Sequence, residues 1–175
     1  LANTGTTVLA LSGFRFTHGI EYTFTAGTMG PRTRLVLVKD RAAFQSRYGN
    51  GPNIAGVFTN SLAHGGERLT LLGPLGEPVL DLTYADSWDP ITDGHGFSLV
   101  ITDEQLPADA WNSPSSWRRS GAYGGSPGLR DTAVVTQPIV VNEVLTHTAP
   151  PQVDAIELYN PNSQPVDVSH WYLTD

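Results

Sequence analysis

The chain has 175 residues, 10 basic and 17 acidic side chains, and a net charge of -7. That length allows one good-sized domain, or one domain and part of another; 39 % hydrophobic content argues against general disorder, and no apolar run approaches the roughly 20 residues of a membrane helix. The acid excess argues against a dedicated nucleic-acid binder, whose affinity comes mostly from Lys and Arg on phosphates, and the absence of cysteine excludes disulfides, thiolate metal sites and thiol nucleophiles.

Eighteen glycines and 13 prolines, with only 15 % charged residues, read as short strands and tight turns. Leu1 to Gly5 lacks the charged and apolar regions of a signal peptide and reads as the interior of a folded unit. Val8–Leu11, Phe14–Phe16 and Tyr22–Phe24 are predicted strands divided by Ser12-Gly13 and His18-Gly19. Tyr22 and Phe24 alternate with Thr23 and Thr25, the pattern of a half-buried strand. Arg34–Val38 is the strongest predicted strand. Asp40 then caps a helix over Arg41–Tyr48, with Phe44 and Tyr48 on one face and Gly49 as its stop.

After the turn at Asn50-Gly51-Pro52, strands are predicted at Arg68–Leu72, Val79–Tyr84 and Phe97–Ile101. Gly73-Pro74-Leu75-Gly76 is a hairpin connection, and Asp93-Gly94 is a turn. Trp111–Gly128 is predicted to be ordered but irregular. Ile139–Val144 and Ala155–Tyr159 are further strands, joined by a loop containing Pro150-Pro151.

Charge changes along the chain. Residues 1–130 hold 11 acids and 10 bases, whereas residues 131–175 hold 6 acids and no base, which marks a boundary near Asp131. The two ends also resemble each other at an offset of 157 positions. Leu158-Tyr159-Asn160 falls on Leu1-Ala2-Asn3, Val168 on Leu11, Ser169 on Ser12, Trp171 on Phe14, Leu173 on Phe16 and Thr174 on Thr17. The carboxyl end therefore reads as the opening of a second copy of the unit.

Asn142-Glu143-Val144, Ile156-Glu157-Leu158-Tyr159-Asn160, Pro165-Val166-Asp167-Val168-Ser169 and Trp171-Tyr172-Leu173-Thr174-Asp175 resemble the opening of a lamin tail domain of the bacterial, multi-copy type. The body continues the likeness in order, at Leu11-Ser12-Gly13, Tyr22-Thr23-Phe24, Ala26-Gly27-Thr28, Leu35 to Asp40, Gly66-Glu67-Arg68-Leu69, Asp93 to Leu99 and Ser126-Pro127-Gly128. The resemblance implies an all-β, immunoglobulin-like β-sandwich with one short helix near 41–48. It implies no enzymatic activity, and a place in a large secreted or surface protein. Against the family order, residues 1–130 lack the first strand or strands. The expected organisation is a sandwich over 1–130, a linker over 131–138, and the opening strands of a second repeat over 139–175. An open sandwich exposes unpaired backbone and an apolar cleft. Residues 139–160 are therefore expected to fill the gap, within the chain or by a strand swap giving a homo-oligomer; the alternative is an overhanging tail.

The residues that could carry chemistry each have a plainer reading. Gly124-Gly125-Ser126-Pro127-Gly128 matches a nucleophile-elbow string. Pro127, however, lacks the N–H that an oxyanion hole needs after the serine, and no helix is predicted to follow. His18, His64, His95, His147 and His170 show no zinc-ligand spacing and read as loop residues. Asp86, Asp89 and Asp93 form an acidic loop that is the candidate calcium site, although Asp-Pro and Asp-Gly also simply make turns. Glu143, Asp154 and Glu157 read as a solvated strand face. Trp88 and Trp111 are candidates for a sugar platform, with Trp88 in a polar stretch the better exposed; Trp171, aligned with Phe14, is expected in the core along with it. Arg118 and Arg119 are candidate anion ligands, with ion pairing as the plainer reading.

The functional expectation is a non-catalytic interaction or structural module with a protein or cell-surface glycan partner, and with neither a cofactor nor membrane insertion. It is placed at the cell surface or outside the cell, with the periplasm as a further compartment. The alternative is a carbohydrate-binding module of a secreted enzyme or adhesin.

Overall fold

The computed structural model describes residues 1–133, 138–169 and 171–173. Part of the expected linker over 131–138, the loop reading of His170 and the match of Thr174 to Thr17 lie outside these residues. The chain divides into two compact units, Leu1–Ala133 and Val134–Asp175. It is built mostly of short strands in several small, largely antiparallel sheets, with one α-helix among the described residues.

The first unit runs through β1 (Leu9–Ala10), β2 (Arg15–His18), β3 (Tyr22–Thr23), β4 (Thr28–Met29), β5 (Val36–Val38), α1 (Arg41–Tyr48), β6 (Ile54–Val57), β7 (Gly66–Leu72), β8 (Pro78–Ala85), β9 (Leu99–Ile101) and β10 (Trp117–Arg119). An antiparallel sheet in the order β3-β2-β7-β8 is its largest piece; β1 pairs with β4, β9 with β10, and β5 runs parallel to β6. Gly73 to Gly76 makes the β7–β8 turn, closed by Gly73 N–H on the Glu77 carbonyl at 2.8 Å.

The alternation in Tyr22–Phe24 carries into packing. Phe24 is buried with Leu11, Met29 and Leu35, while Thr23 and Thr25 are exposed. Phe16, Ile20 and Leu71 form a second buried cluster, and Phe14 and Leu37 pack against both. Each such side chain withdrawn from water contributes about 1.5–3 kcal/mol, which is how strands of two to four residues are held.

Helix α1 has the expected bounds. The Asp40 carboxylate accepts from Ala43 N–H at 2.9 Å, and Gly49 ends the helix at φ +70°. Phe44 and Tyr48 stack 4.7 Å apart on its one shared face.

The structure differs from the sequence reading at several points, among them the unpredicted β4 and the run of β2 through His18. Arg34–Val38 is regular only over Val36–Val38, because Arg34 forms an isolated bridge to Ala2. Strand β6 has no alternating pattern because Gly56 sits in it. The Tyr22 ring lies where a Gly56 Cβ would be, and the Tyr22 hydroxyl donates to the Ala55 carbonyl at 3.0 Å. The segment 86–116 holds four short 3-10 turns, at Asp86–Trp88, Pro90–Thr92, Ala108–Asn112 and Pro114–Ser116. Strand β10 then emerges from what reads as irregular chain.

The second unit holds β11 (Val140–Leu145) and β12 (Ala155–Tyr159), paired antiparallel with an irregularity between Val141 and Glu143. That irregularity sets Val141 opposite Leu158 and Val144 opposite Ile156, so four apolar side chains share one face. No described residue of this unit is buried. Burial of Val140, Val141 and Ile156 is therefore not achieved within it: they are 45 %, 51 % and 50 % exposed. Trp171 is 47 % exposed, which corrects its expected place in a core. Its counterpart Phe14 packs against both buried clusters, whereas no described residue of this unit is buried.

Local hydrogen bonds nonetheless recur at the sequence offset. Asn3 donates through Nδ2 to the Thr7 carbonyl at 2.8 Å and accepts at Oδ1 from Gly5 N–H at 3.0 Å. Asn160 donates to the Gln164 carbonyl at 2.9 Å and accepts from Asn162 N–H at 2.9 Å. Phe14 N–H meets the Leu11 carbonyl at 3.1 Å, as Trp171 N–H meets that of Val168 at 3.1 Å.

Candidate functional site

The polar chemistry of the first unit gathers where β8 leaves its sheet and the chain turns through residues 86–131. Asn112 ties this segment to β8: it accepts from Thr83 N–H at 2.9 Å and donates to the Asp81 carbonyl at 3.1 Å. A free sheet edge is thereby given partners. Trp88, Trp111 and Trp117 form a row, with ring centres 6.1 Å apart for Trp88–Trp117 and 6.4 Å for Trp111–Trp117. Trp117 Nε1 donates to the Trp111 carbonyl at 2.7 Å, and Trp111 Nε1 to that of Leu106 at 3.2 Å. All three are half-buried. Trp88, the better exposed sugar-platform candidate in the sequence, is half-buried, with its ring tilted by 39° to that of Trp117.

The arginines are paired. Arg119 N–H donates to Asp89 Oδ2 at 3.1 Å, and its Nε lies 3.8 Å from the same oxygen. Arg118 Nη1 bonds the Asp131 carboxylate, whose side chain is only 4 % exposed. Asp131 also accepts from Gly121 N–H at 3.0 Å and Ser126 Oγ at 2.8 Å. Burial pushes its carboxyl upward, but the Arg118 bond, the Gly121 N–H and the Ser126 hydroxyl outweigh burial and hold it below the usual carboxylate range. The lowered pKa makes the carboxylate a weaker base toward Ser126 Oγ than an ordinary one, and the bonds it accepts fasten the turn. Gly124, Gly125 and Gly128 all take positive φ, and Leu129 N–H closes on the Ser126 carbonyl at 3.0 Å. The units divide after Ala133, near the boundary that the change in charge marks, and Asp131 itself is clasped into the first unit.

A cavity of about 340 Å³ lies beside this segment, lined by His64, Tyr84, Asp86, Asp93, Phe97 and Ser98 among others. The Tyr84 hydroxyl donates to the Ala63 carbonyl at 2.9 Å, with the Glu67 carboxylate 3.4 Å away. Burial first, then the Glu67 charge, pushes the phenol up to about 12, so it stays protonated across the neutral range.

Of the candidate calcium ligands, Asp86, which also accepts from Ser87 N–H at 2.7 Å, and Asp93 line the same cavity, whereas Asp89 is turned to Arg119. Among the described residues no three His, Asp or Glu side chains converge on one point. Glu143 and Glu157 stand directly opposite each other on β11 and β12, with Glu157 bonded by Asn142 Nδ2 and Asp154 by the Thr148 hydroxyl at 3.1 Å. His18, His64, His95 and His147 are exposed. Sequence reasoning missed both the Asp131 clasp and the Tyr84 cavity. The only signal for the first was the serine turn itself.

Comparison with protein-family models, with curated proteins and with solved structures finds no match to this chain.

Proposed function

We propose that this chain is a non-catalytic interaction module of a larger extracytoplasmic protein, lamin-tail-like, with the immunoglobulin-like sandwich that the order of its motifs implies. The reading is supported by strands as the dominant element, by a helix at the motif position, and by hydrogen bonds that recur at the repeat offset. The polar groups that chemistry would use are engaged in holding loops: Ser126 and Arg118 on Asp131, and Arg119 on Asp89. One observation carries it. The β11–β12 hairpin presents Val141, Val144, Ile156 and Leu158 on one face, each about half exposed. An apolar face of that kind marks a surface that binds polypeptide.

The second reading is a carbohydrate-binding module, favoured by the tryptophan row and by the cavity that Tyr84 and Asp86 line. A glycan array probed with the full chain separates the two. The interaction module gives no glycan signal, and it binds an apolar-surface dye that Ile156→Lys/Leu158→Lys removes. A glycan signal lost in Trp88→Ala overturns it.

A further inference from the structure

Independently of that reading, we infer that Asn50-Gly51, in the turn after α1, is a self-modification site, where the Asn50 side chain is converted to aspartate and isoaspartate by attack of the Gly51 backbone nitrogen. The chemistry requires an amide carbon within reach of the following N–H. It requires a following residue with no side chain to obstruct the approach, and an N–H free to react. Of the eight asparagines only Asn50 is followed by glycine.

The structure leaves this pair free. Both residues are exposed and lie beyond α1, which ends at Tyr48 with Gly49 N–H on the Gln45 carbonyl at 2.8 Å. Neither the Gly51 N–H nor the Asn50 carboxamide has a hydrogen-bond partner among the described residues. An N–H held in a helix or a ladder has to give up that bond before it can attack; this one gives up none. A Cβ built on Gly51 would meet nothing within 4 Å, so the backbone has room to turn over the side chain. The other asparagines differ. Asn3, Asn112, Asn142, Asn160 and Asn162 have their side chains engaged. Asn53 and Asn60 are exposed, but they precede Ile54 and Ser61, whose Cβ atoms crowd the attacking nitrogen.

The step balances with water as its one co-reactant. The Gly51 nitrogen gives its proton to solvent and bonds to Asn50 Cγ. The Cγ–Nδ2 bond breaks, ammonia leaves, and a succinimide ring remains. Water then opens the ring. Opening at Cγ gives aspartate; opening at the main-chain carbonyl gives isoaspartate, with the chain now running through the side-chain carbons. Either product is one charge more negative than the intact chain at -7. The new charge falls just past the carbonyl end of α1, where the helix dipole disfavours it. The isoaspartate also lengthens the main chain between α1 and β6. Escape of ammonia makes the step irreversible, so the charge of this turn records the age of the molecule.

The test ages the full, folded chain at mildly alkaline pH in water enriched in heavy oxygen, beside a peptide of residues 46–53. Anion-exchange chromatography and peptide mass mapping follow both. The expected result is a species one charge more acidic, with the oxygen label at position 50, formed at a rate close to that of the peptide. A protein isoaspartate methyltransferase used as a probe is expected to label that species. Gly51→Ala is expected to lose it, and the open space around Gly51, with its backbone outside the left-handed region, leaves that variant folded. Asn50→Asp is expected to elute with the acidic species from the start. A folded chain that stays intact while the peptide converts overturns the inference. So does an acidic species that maps to another asparagine, that holds aspartate without isoaspartate, or that persists in Gly51→Ala.

Discussion

The two ends of this chain run the same local program with opposite results. Leu11 is 7 % exposed and its counterpart Val168 43 %; Phe16 is 8 % exposed and its counterpart Leu173 63 %. The turn bonds are nearly superimposable in length, 3.1 Å from Phe14 to Leu11 and from Trp171 to Val168. Local structure at these positions is thus encoded locally, by Asn side chains and i to i+3 turns. Burial is not. It depends on residues farther along the chain: Phe24, Met29 and Leu35 around Leu11, and Leu71 beside Phe16. Those supply the about 1.5–3 kcal/mol per side chain that separates a core from a hairpin.

The sharpest way to break the comparison is to truncate equivalent residues. Phe16→Ala removes a ring packed against Ile20 and Leu71 and is expected to cost about 3–5 kcal/mol in denaturant unfolding. Leu173→Ala is expected to change stability by no more than about 0.5 kcal/mol. Equal costs at both sites sink the contrast. Next in size is the Asp131 clasp, which belongs to the first unit alone. Asp131→Asn leaves Arg118 without its charge partner, and a loss of about 2 kcal/mol is expected, below the usual value for a buried pair because Arg118 is 24 % exposed. The pH dependence has a fixed sign. A carboxyl held lower in the folded state stabilises above its ordinary unfolded value and loses that contribution as pH falls through the folded one. Thermal melts from pH 6 to pH 3 are therefore expected to fall more steeply for the unsubstituted chain than for Asp131→Asn. Parallel curves remove the clasp as a stabilising element.

What the sequence made legible follows the same division between local and distant causes. Asp40, the Phe44–Tyr48 spacing and Gly49 delimit α1 with no help from the rest of the fold. The Tyr22–Phe24 alternation, the β7–β8 turn and β12 are likewise local. Strand β6 was hidden because Gly56 is chosen by the Tyr22 ring, thirty-four positions upstream. Strand β10 was hidden because Trp117 is held by Trp88 and Trp111 rather than by a pattern of its own. The change in charge at Asp131 lies close to the division after Ala133, but it gives no sign of the clasp, because only folding brings Arg118, Gly121 and Ser126 around that carboxylate. Trp88 looked exposed because its neighbours in sequence are polar, while its neighbour in space is another indole.

The smallest expected effect probes the feature both ends share. Asn3 is 4 % exposed and its Nδ2 serves the carbonyls of Thr7, Met29 and Gly30. Asn3→Ala leaves buried carbonyls without donors and is expected to cost about 1–2 kcal/mol. Asn160→Ala loses the same two local bonds in an exposed setting, where water replaces them, and is expected to cost about 0.5 kcal/mol or less. The ratio of the two is informative because the local geometry is matched: the difference isolates what Met29 and Gly30 add.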